Sequence, residues 1–435
     1  MNSYIAVVDI GTSEVTVVVG QRSENGGLDV AGYATETSLG VKRGVVLNIG
    51  EVVKVLGKAI KKATHGLNIE ICKVLVGVSG QQVRMIPNHG HCWVDLNGEV
   101  TREDVNKLLE DAKKVSLNRG EKIFHVIPQS FVVDQEEGII NPVGIAGNKL
   151  EGRFCLLVAQ ESYFRNIERC FQKLNIEVKG ATITPLATAE AVLSEEEKEA
   201  GVVLVDFGAG TTSVAVFYEG IVRQVGVIPF GGNVITQDIK EGCAILPRQA
   251  EKLKVQYGNA FGENASENKV ISIPGIQGWE PKEISFKSLA FIIQARVEEL
   301  IESIWFYVQK SGLSERLGAG IVITGGGSKL NGIDDLIRIQ TGMDVRIGGS
   351  LLPVNGQYAE DLACPEFSAV LGLLKSAIAK YQGNEIFVEN KPNNDKTMPE
   401  QQTEKRSSSG KGKSGFQKLT KFVGELFTDD DMTMN

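Results

Sequence analysis

No Cys-x-x-Cys pair, no long apolar run and no surplus of positive charge occur in this 435-residue chain. The six cysteines (Cys72, Cys92, Cys155, Cys170, Cys243 and Cys364) lie far apart. They read as small buried hydrophobes in a reducing compartment, not as a disulfide framework or a zinc cluster. No stretch of about 18 apolar residues exists, so no membrane-spanning helix is expected. The opening MNSYIAVVDIG has no basic region ahead of an apolar run and enters a strand directly, so no signal peptide is expected. Lys plus Arg number 46 against 54 Asp plus Glu, a net charge of −8. That balance argues against nucleic acid as a partner of the whole surface. The expectation is a cytoplasmic protein.

What is present is enough apolar residue, 42% of the chain, for real cores, and enough length for two domains or more. Short β-branched runs (IAVVDI, EVTVVVG) give way to the helical pattern IGEVVKVLGKAIKKATHG and return to strand at KVLVGVSG. This α/β rhythm breaks over residues 84–162, where TREDVNKLLEDAKKV carries a Thr-x-x-Asp helix start and RFCLLVAQ reads as strand. That stretch reads as an inserted subdomain. From Ser162 the helix SYFRNIERCFQKLN leads into a second α/β half, and residues 233–285 suggest a further small subdomain. After Tyr381 apolar residues thin out, which predicts a flexible linker over 383–413. About 30 such residues reach about 30 Å.

Two turns carry the chemistry. In VDIGTSEVTVVVG, Asp9 ends a strand and Gly11, Thr12 and Ser13 make the reversal. Glycine there lets backbone N–H groups converge on an anion, the hydroxyls add donors, and Asp9 can hold a hydrated Mg²⁺ beside a phosphate. A plain hairpin explains one such turn equally well. The second, VDFGAGTTSVAVF, repeats the set with Asp206, Gly208, Gly210, Thr211 and Thr212. Two facing hairpins would grip a phosphate chain, with Mg²⁺ between Asp9 and Asp206. A third stretch, IVITGGGSKLNGI, offers Gly325, Gly326 and Gly327 as a flat surface, with Ser328 and Lys329 opening a helix after it. It is not a dinucleotide fingerprint, and the GKS at 412–414 is no P-loop because Ser407 stands where the first glycine belongs.

In this order the three motifs resemble the phosphate-1, phosphate-2 and adenosine motifs of the actin, Hsp70 and sugar kinase superfamily, over residues 4–382. The resemblance implies an actin-like (RNase-H-like) two-lobed ATPase fold that closes on ATP. TPLATAEAVL resembles the first connecting helix, which would put Glu190 near an attacking water as the catalytic residue. AEKLKVQYG resembles the Glu-x-x-Lys helix of bacterial actins, which makes Glu251 a ribose acceptor and Lys254 a base neighbour; a solvated i,i+3 pair is the other reading.

HVIPQSFVVDQEEGIINPVGIAG, GGNVITQDI and PEFSAVLGLL are similar to segments of the FtsA family of bacterial cell-division proteins. That resemblance implies a polymerising scaffold on the cytoplasmic face of the membrane at the division septum. Its implied partners are the FtsZ ring, further copies of itself, anionic lipid and other divisome proteins. It implies a first lobe from 1–83, 163–198 and 350–382, an interaction subdomain at 84–162, a second lobe from 199–232 and 286–349, and a small subdomain at 233–285. Polymer contacts would fall to the insert and FtsZ binding to 233–285. The alternative is a phosphotransferase of the same superfamily, a sugar or acetate kinase, although no acceptor motif stands out. An Hsp70-type chaperone lacks support because no β-sandwich domain follows residue 382.

Residues 414–428 have helical apolar spacing. Phe416, Leu419, Phe422, Val423, Leu426 and Phe427 fall within an arc of roughly 140°, with Lys418 and Lys421 opposite. This predicts an interfacial helix that binds membrane. A helix that docks on protein is the other reading.

Overall fold

The computed structural model describes residues 4–80, 83–94, 98–275, 280–381 and 385–390. Two sheets of the same design form the body. In the first, the strands run Glu177–Ile183, Lys73–Val78, Ile5–Ile10, Glu14–Arg22, Leu28–Thr37 and Val354–Asn355 in spatial order. In the second the order is Ile221–Ile228, Thr212–Tyr218, Val202–Phe207, Ile321–Thr324 and Val345–Ile347. Each begins as an antiparallel meander and is extended by parallel strands from later in the chain. The strands are apolar almost throughout, with Val7, Val8, Val17, Val203, Val205 and Val214 fully buried. Strands covered on both faces need such runs instead of alternation.

Helices supply the cover. Helix Ile49–Ala63 starts on an Asn48 cap, whose Oδ1 accepts from Glu51 N–H, and buries Val52, Val55, Leu56 and Ala59 against the first sheet. Helix Ser368–Tyr381 packs against the same sheet. Helix Thr184–Val192 is buried along nearly its whole length and touches strands of both sheets. Its alanines permit that tight fit, and its N-terminus opens at the cleft between the sheets.

Residues Arg84 to Gln160 form a separate antiparallel sheet with spatial order Glu136–Ile139, Glu121–Val133, Lys149–Gln160 and Arg84–Trp93. Helix Arg102–Ala112, started by a Thr101/Asp104 capping box, covers it around Leu108, Phe131, Leu150 and Phe154. On the second sheet, helices Gly232–Cys243 and Pro247–Tyr257 and the hairpin Val270–Ile273/Lys282–Ser285 precede the 25-residue helix Phe286–Lys310.

The linker expected from residue 383 is corrected at its start. Val388–Asn390 pairs antiparallel with Ile69–Ile71, and Phe387 is buried in the first lobe's core. One aromatic anchor outweighs the polar composition around it. The remainder of the expected linker, and the expected 414–428 helix with Phe416, Lys418, Leu419, Lys421, Phe422, Val423, Leu426 and Phe427, lie outside the described residues. Among the described residues no helix is long and apolar enough to cross a membrane.

Candidate functional site between the two hairpins

The two turns are built alike. Gly11 N–H donates to Glu14 O at 2.9 Å, and Gly208 N–H to Thr211 O at 3.0 Å. Asp9 pairs across its hairpin with Thr16, and Asp206 with Ser213. The turns also meet: a Cβ on Gly210 would stand 2.4 Å from Thr12 Oγ1 and 2.7 Å from Thr12 Cγ2. Thr12 is held there because its hydroxyl accepts from Gly44 N–H at 3.0 Å. Between the hairpins opens a cleft of about 530 Å³, lined by Asp9, Gly11, Thr12, Ser13, Asp206, Gly208, Gly210 and Thr211, with Ser213 beside them.

Electrostatics single out the cleft floor. Burial and the neighbouring Asp206 push the Asp9 carboxyl up to about 7. Burial also raises Asp206, against a hydrogen bond from Thr188 that lowers it. The Thr188 hydroxyl lies 3.1 Å from both Asp206 Oδ2 and the Thr184 carbonyl. Thr184 Oγ1 is buried without a hydrogen-bond partner in the protein. A Cβ on Gly77 would lie 2.8 Å from Asp9 Oδ1 and 3.2 Å from Thr184 Oγ1, so both oxygens gather over that glycine. Two like-charged carboxyls and an orphaned hydroxyl fit a hydrated divalent cation, which Mg²⁺ sites hold with one or two carboxylates plus phosphate and water. Among the described residues no group of three or more His, Cys, Asp or Glu side chains could hold a metal by itself.

The far end of the cleft comes from the second lobe. Lys254 donates to Gly232 O (3.1 Å), Thr236 Oγ1 (2.8 Å) and Glu251 Oε2 (2.8 Å), and so spends all three ammonium hydrogens as a brace. Glu251 also accepts from the Thr236 hydroxyl. Opposite, Gly325 takes φ +80°, and a Cβ there would stand 2.5 Å from Asp206 Oδ1. Gly326 has open space where a side chain would be, which leaves bare backbone facing the cleft. Lys329 donates to Glu366 Oε1 at 2.8 Å, while buried Glu366 Oε2 has no partner.

Three expected residues stand elsewhere. Thr212 is fully buried and its hydroxyl donates to Phe230 O at 2.9 Å, because strand alternation sends Thr211 and Ser213 to the cleft instead. Ser328 is fully buried and donates to Gly325 O at 2.7 Å. Glu190 sits near the C-terminal end of its helix, about 9 Å along the axis from Thr184, and does not line the cleft. It is held between Lys198 Nζ (3.1 Å) and Lys375 Nζ (2.8 Å). Burial works to raise its carboxyl, but the two ammoniums outweigh it and hold it below the ordinary value. Conversely Thr184, Thr188, Asn233, Asn331 and Glu366 were not singled out by sequence. The only signal for Thr184 is a hydroxyl at the first position of a helix built mainly of small residues.

A cleft between two like sheets, each opened by an Asp-ended hairpin, defines an actin-like fold. Solved structures agree: the PilM–PilN type IV pilus biogenesis complex superposes with a TM-score of 0.60 at 16% identity, over 86% of this chain and 98% of that one. MreB5 of Spiroplasma citri bound to ADP does so with 0.52 at 13%, over 86% and 96%. The family described as "Cell division protein FtsA" matches residues 203–372, and "SHS2 domain inserted in FTSA" matches residues 80–158. Cell division protein FtsA of Pseudomonas aeruginosa is 34% identical over 377 residues, 86% of this chain and 89% of that one. That of Bacillus subtilis is 32% identical over 388 residues, 88% and 86%. The chain belongs to the FtsA family of cell division proteins. It is an actin-like cell-division protein.

Proposed function

We propose that this protein is an ATP- and Mg²⁺-binding scaffold that polymerises and tethers the FtsZ ring to anionic lipid on the cytoplasmic face of the membrane at the septum, where other divisome proteins join. The observation that carries the reading is the convergence of Asp9 and Asp206, from two equivalent hairpins, on one cleft. Its volume is within the ~300–1,000 Å³ of small-molecule sites. MreB5, of the same fold, was solved with ADP, which favours an adenine nucleotide. Asp9 and Asp206 would hold the cation, and Gly11, Thr12, Ser13, Gly208, Gly210 and Thr211 would surround the phosphates. Glu251 would meet the ribose, with braced Lys254, Gly325, Gly326 and Lys329 around the base. The insert would make polymer contacts, the 233–285 subdomain would meet FtsZ, and residues 414–428 would bind the membrane.

Hydrolysis is slow at most in this reading, because Glu190, the candidate for orienting water, is engaged by two lysines. Nucleotide then serves as a conformational switch. Calorimetry with Mg²⁺ and ATP tests the site. Asp206→Ala and Asp9→Ala weaken binding; unchanged affinity in both sinks the two-hairpin site. Several turnovers per second would favour a phosphotransferase.

A further inference from the structure

In a chain of net charge −8, two packed helices of the first lobe present outward stripes of positive charge. Lys54, Lys58 and Lys61 recur at i, i+4 and i+7 on helix Ile49–Ala63, opposite its buried face. Arg165, Arg169 and Lys173 recur at i, i+4 and i+8 along and just past helix Glu161–Gln172. The stripes share a seam. A Cβ on Gly57 would lie 3.8 Å from Leu174 Cδ2, and Lys58 and Lys173 are each one residue from that contact. All six side chains are exposed. Arg165 pairs with Glu161 on its own helix. Among the described residues, Lys54, Lys58, Lys61, Arg169 and Lys173 are in no ion pair.

The last described residues, 385–390, lie next to the C-terminal end of the lysine helix. Phe387 is sunk in the core and Glu385 pairs with Lys73 (3.4 Å) and Lys179 (3.1 Å). Asn390 then pairs with Ile69, shortly past the end of the lysine helix. Ile386, 66% exposed, adds an apolar side chain beside this pairing. The chain runs on to residue 435 and carries the apolar-and-lysine segment 414–428.

We infer that the Lys54/Lys58/Lys61 and Arg169/Lys173 face is a second membrane contact, which takes the phosphate headgroups of anionic lipid. This deepens the membrane-tether reading and rests on it. The chemistry is complementary: ammonium groups serve as point charges for phosphate and the guanidinium as a two-pronged donor. A lysine or arginine near an anionic bilayer adds to the affinity through a field that fades within a Debye length. A weak tail helix plus such a face would bind one bilayer through two linked contacts and fix which side of the lobe faces it.

Vesicle sedimentation of the full chain with ATP and Mg²⁺ tests this, using phosphatidylglycerol in phosphatidylcholine against phosphatidylcholine alone. The variants are Lys54→Glu/Lys58→Glu, Arg169→Glu/Lys173→Glu, the four combined, and Phe422→Glu/Phe427→Glu in the tail. The expected result is at least ~10-fold weaker binding of the four-fold variant to anionic vesicles, with a flatter salt dependence and unchanged nucleotide affinity. Each pair alone should give an intermediate loss. If the four-fold variant binds like the parent while the tail variant does not, this inference falls and the tail reading stands. A tail variant that binds like the parent, beside a weakened four-fold variant, removes the tail reading and leaves the face. Equal loss on neutral vesicles would overturn the headgroup contact. Tighter binding would also overturn it, because it would mean that the face had been holding the chain's own acidic run Asp429–Asp431. A parent that ignores both vesicles overturns both.

Discussion

Thr12 and Gly210 meet where the two hairpin turns touch, with room for a hydrogen at position 210 and for nothing larger. The contact sets how closely the lobes approach around the cleft. Gly210→Ala must displace Thr12, and overpacking of this kind costs about 1–3 kcal/mol. Because Thr12 is pinned by Gly44 N–H, the lobes should part before the turn yields. The expected outcome is an ATP affinity lower by roughly 10- to 100-fold by calorimetry. Adding Thr12→Ala removes the two closest atoms and should recover part of the loss. No recovery would place the effect within the second hairpin.

The raised carboxyl of Asp9 makes the stability of the nucleotide-free protein depend on pH with a defined sign. Its value rises from 3.8 to about 7 on folding, so the folded state binds the proton more tightly than the unfolded one. Below pH ~3.8 both states are protonated and nothing is lost. As pH climbs through the window up to about 7 the folded protein becomes progressively less stable, and above it the full penalty applies. Thermal melting without nucleotide should therefore fall across that window, and Asp9→Asn should flatten the profile. Saturating Mg²⁺ and ATP should also flatten it, because a cation beside the carboxylates favours their charged forms and offsets both the burial and the Asp206 repulsion that raise Asp9. A melting profile that Asp9→Asn leaves unchanged would remove Asp9 from the account.

Glu190 is tied into the frame by two lysines. Lys198, whose side chain is only 5% exposed, depends on Glu190 and Glu195 for partners, and Lys375 ties Glu190 to helix Ser368–Tyr381. Glu190→Gln should leave any ATP hydrolysis rate within about two-fold. It should destabilise the fold by about 1–2 kcal/mol, since Glu190 is itself 41% exposed and screened. A large fall in hydrolysis at unchanged melting temperature would restore it to the water.

The two hairpins are legible in sequence because each is a β-branched run, an aspartate, glycines and hydroxyls, then another β-branched run. That pattern has few structural solutions, and its repetition fixes the two-lobed plan. The side chosen by each hydroxyl is not legible there. Thr211 and Thr212 are chemically alike, and only strand alternation sends one to the cleft and the other to Phe230 O. Ser328 likewise reads as a cofactor-binding residue at a helix start until its hydroxyl is found donating to Gly325 O. Phe387 is a single aromatic in a polar stretch, and its anchoring role depends on a core assembled from distant segments.

Thr184 offers a test in which stability and binding should move in opposite directions. Its hydroxyl is buried beside Asp9 with no protein partner, and a buried unpaired polar group costs free energy. Valine has nearly the same shape and no hydroxyl, so Thr184→Val should leave the nucleotide-free protein as stable or raise its melting temperature. If the hydroxyl serves a water of the Mg²⁺ shell, the same change removes one hydrogen bond from the loaded site, about 0.5–1.5 kcal/mol. That corresponds to roughly 2- to 10-fold weaker Mg²⁺–ATP binding, with ATP binding in the presence of a chelator little altered. A purely structural role for Thr184 would lower stability and leave the metal dependence intact, so the pair of measurements, melting without ligand and calorimetry with and without Mg²⁺, separates the two.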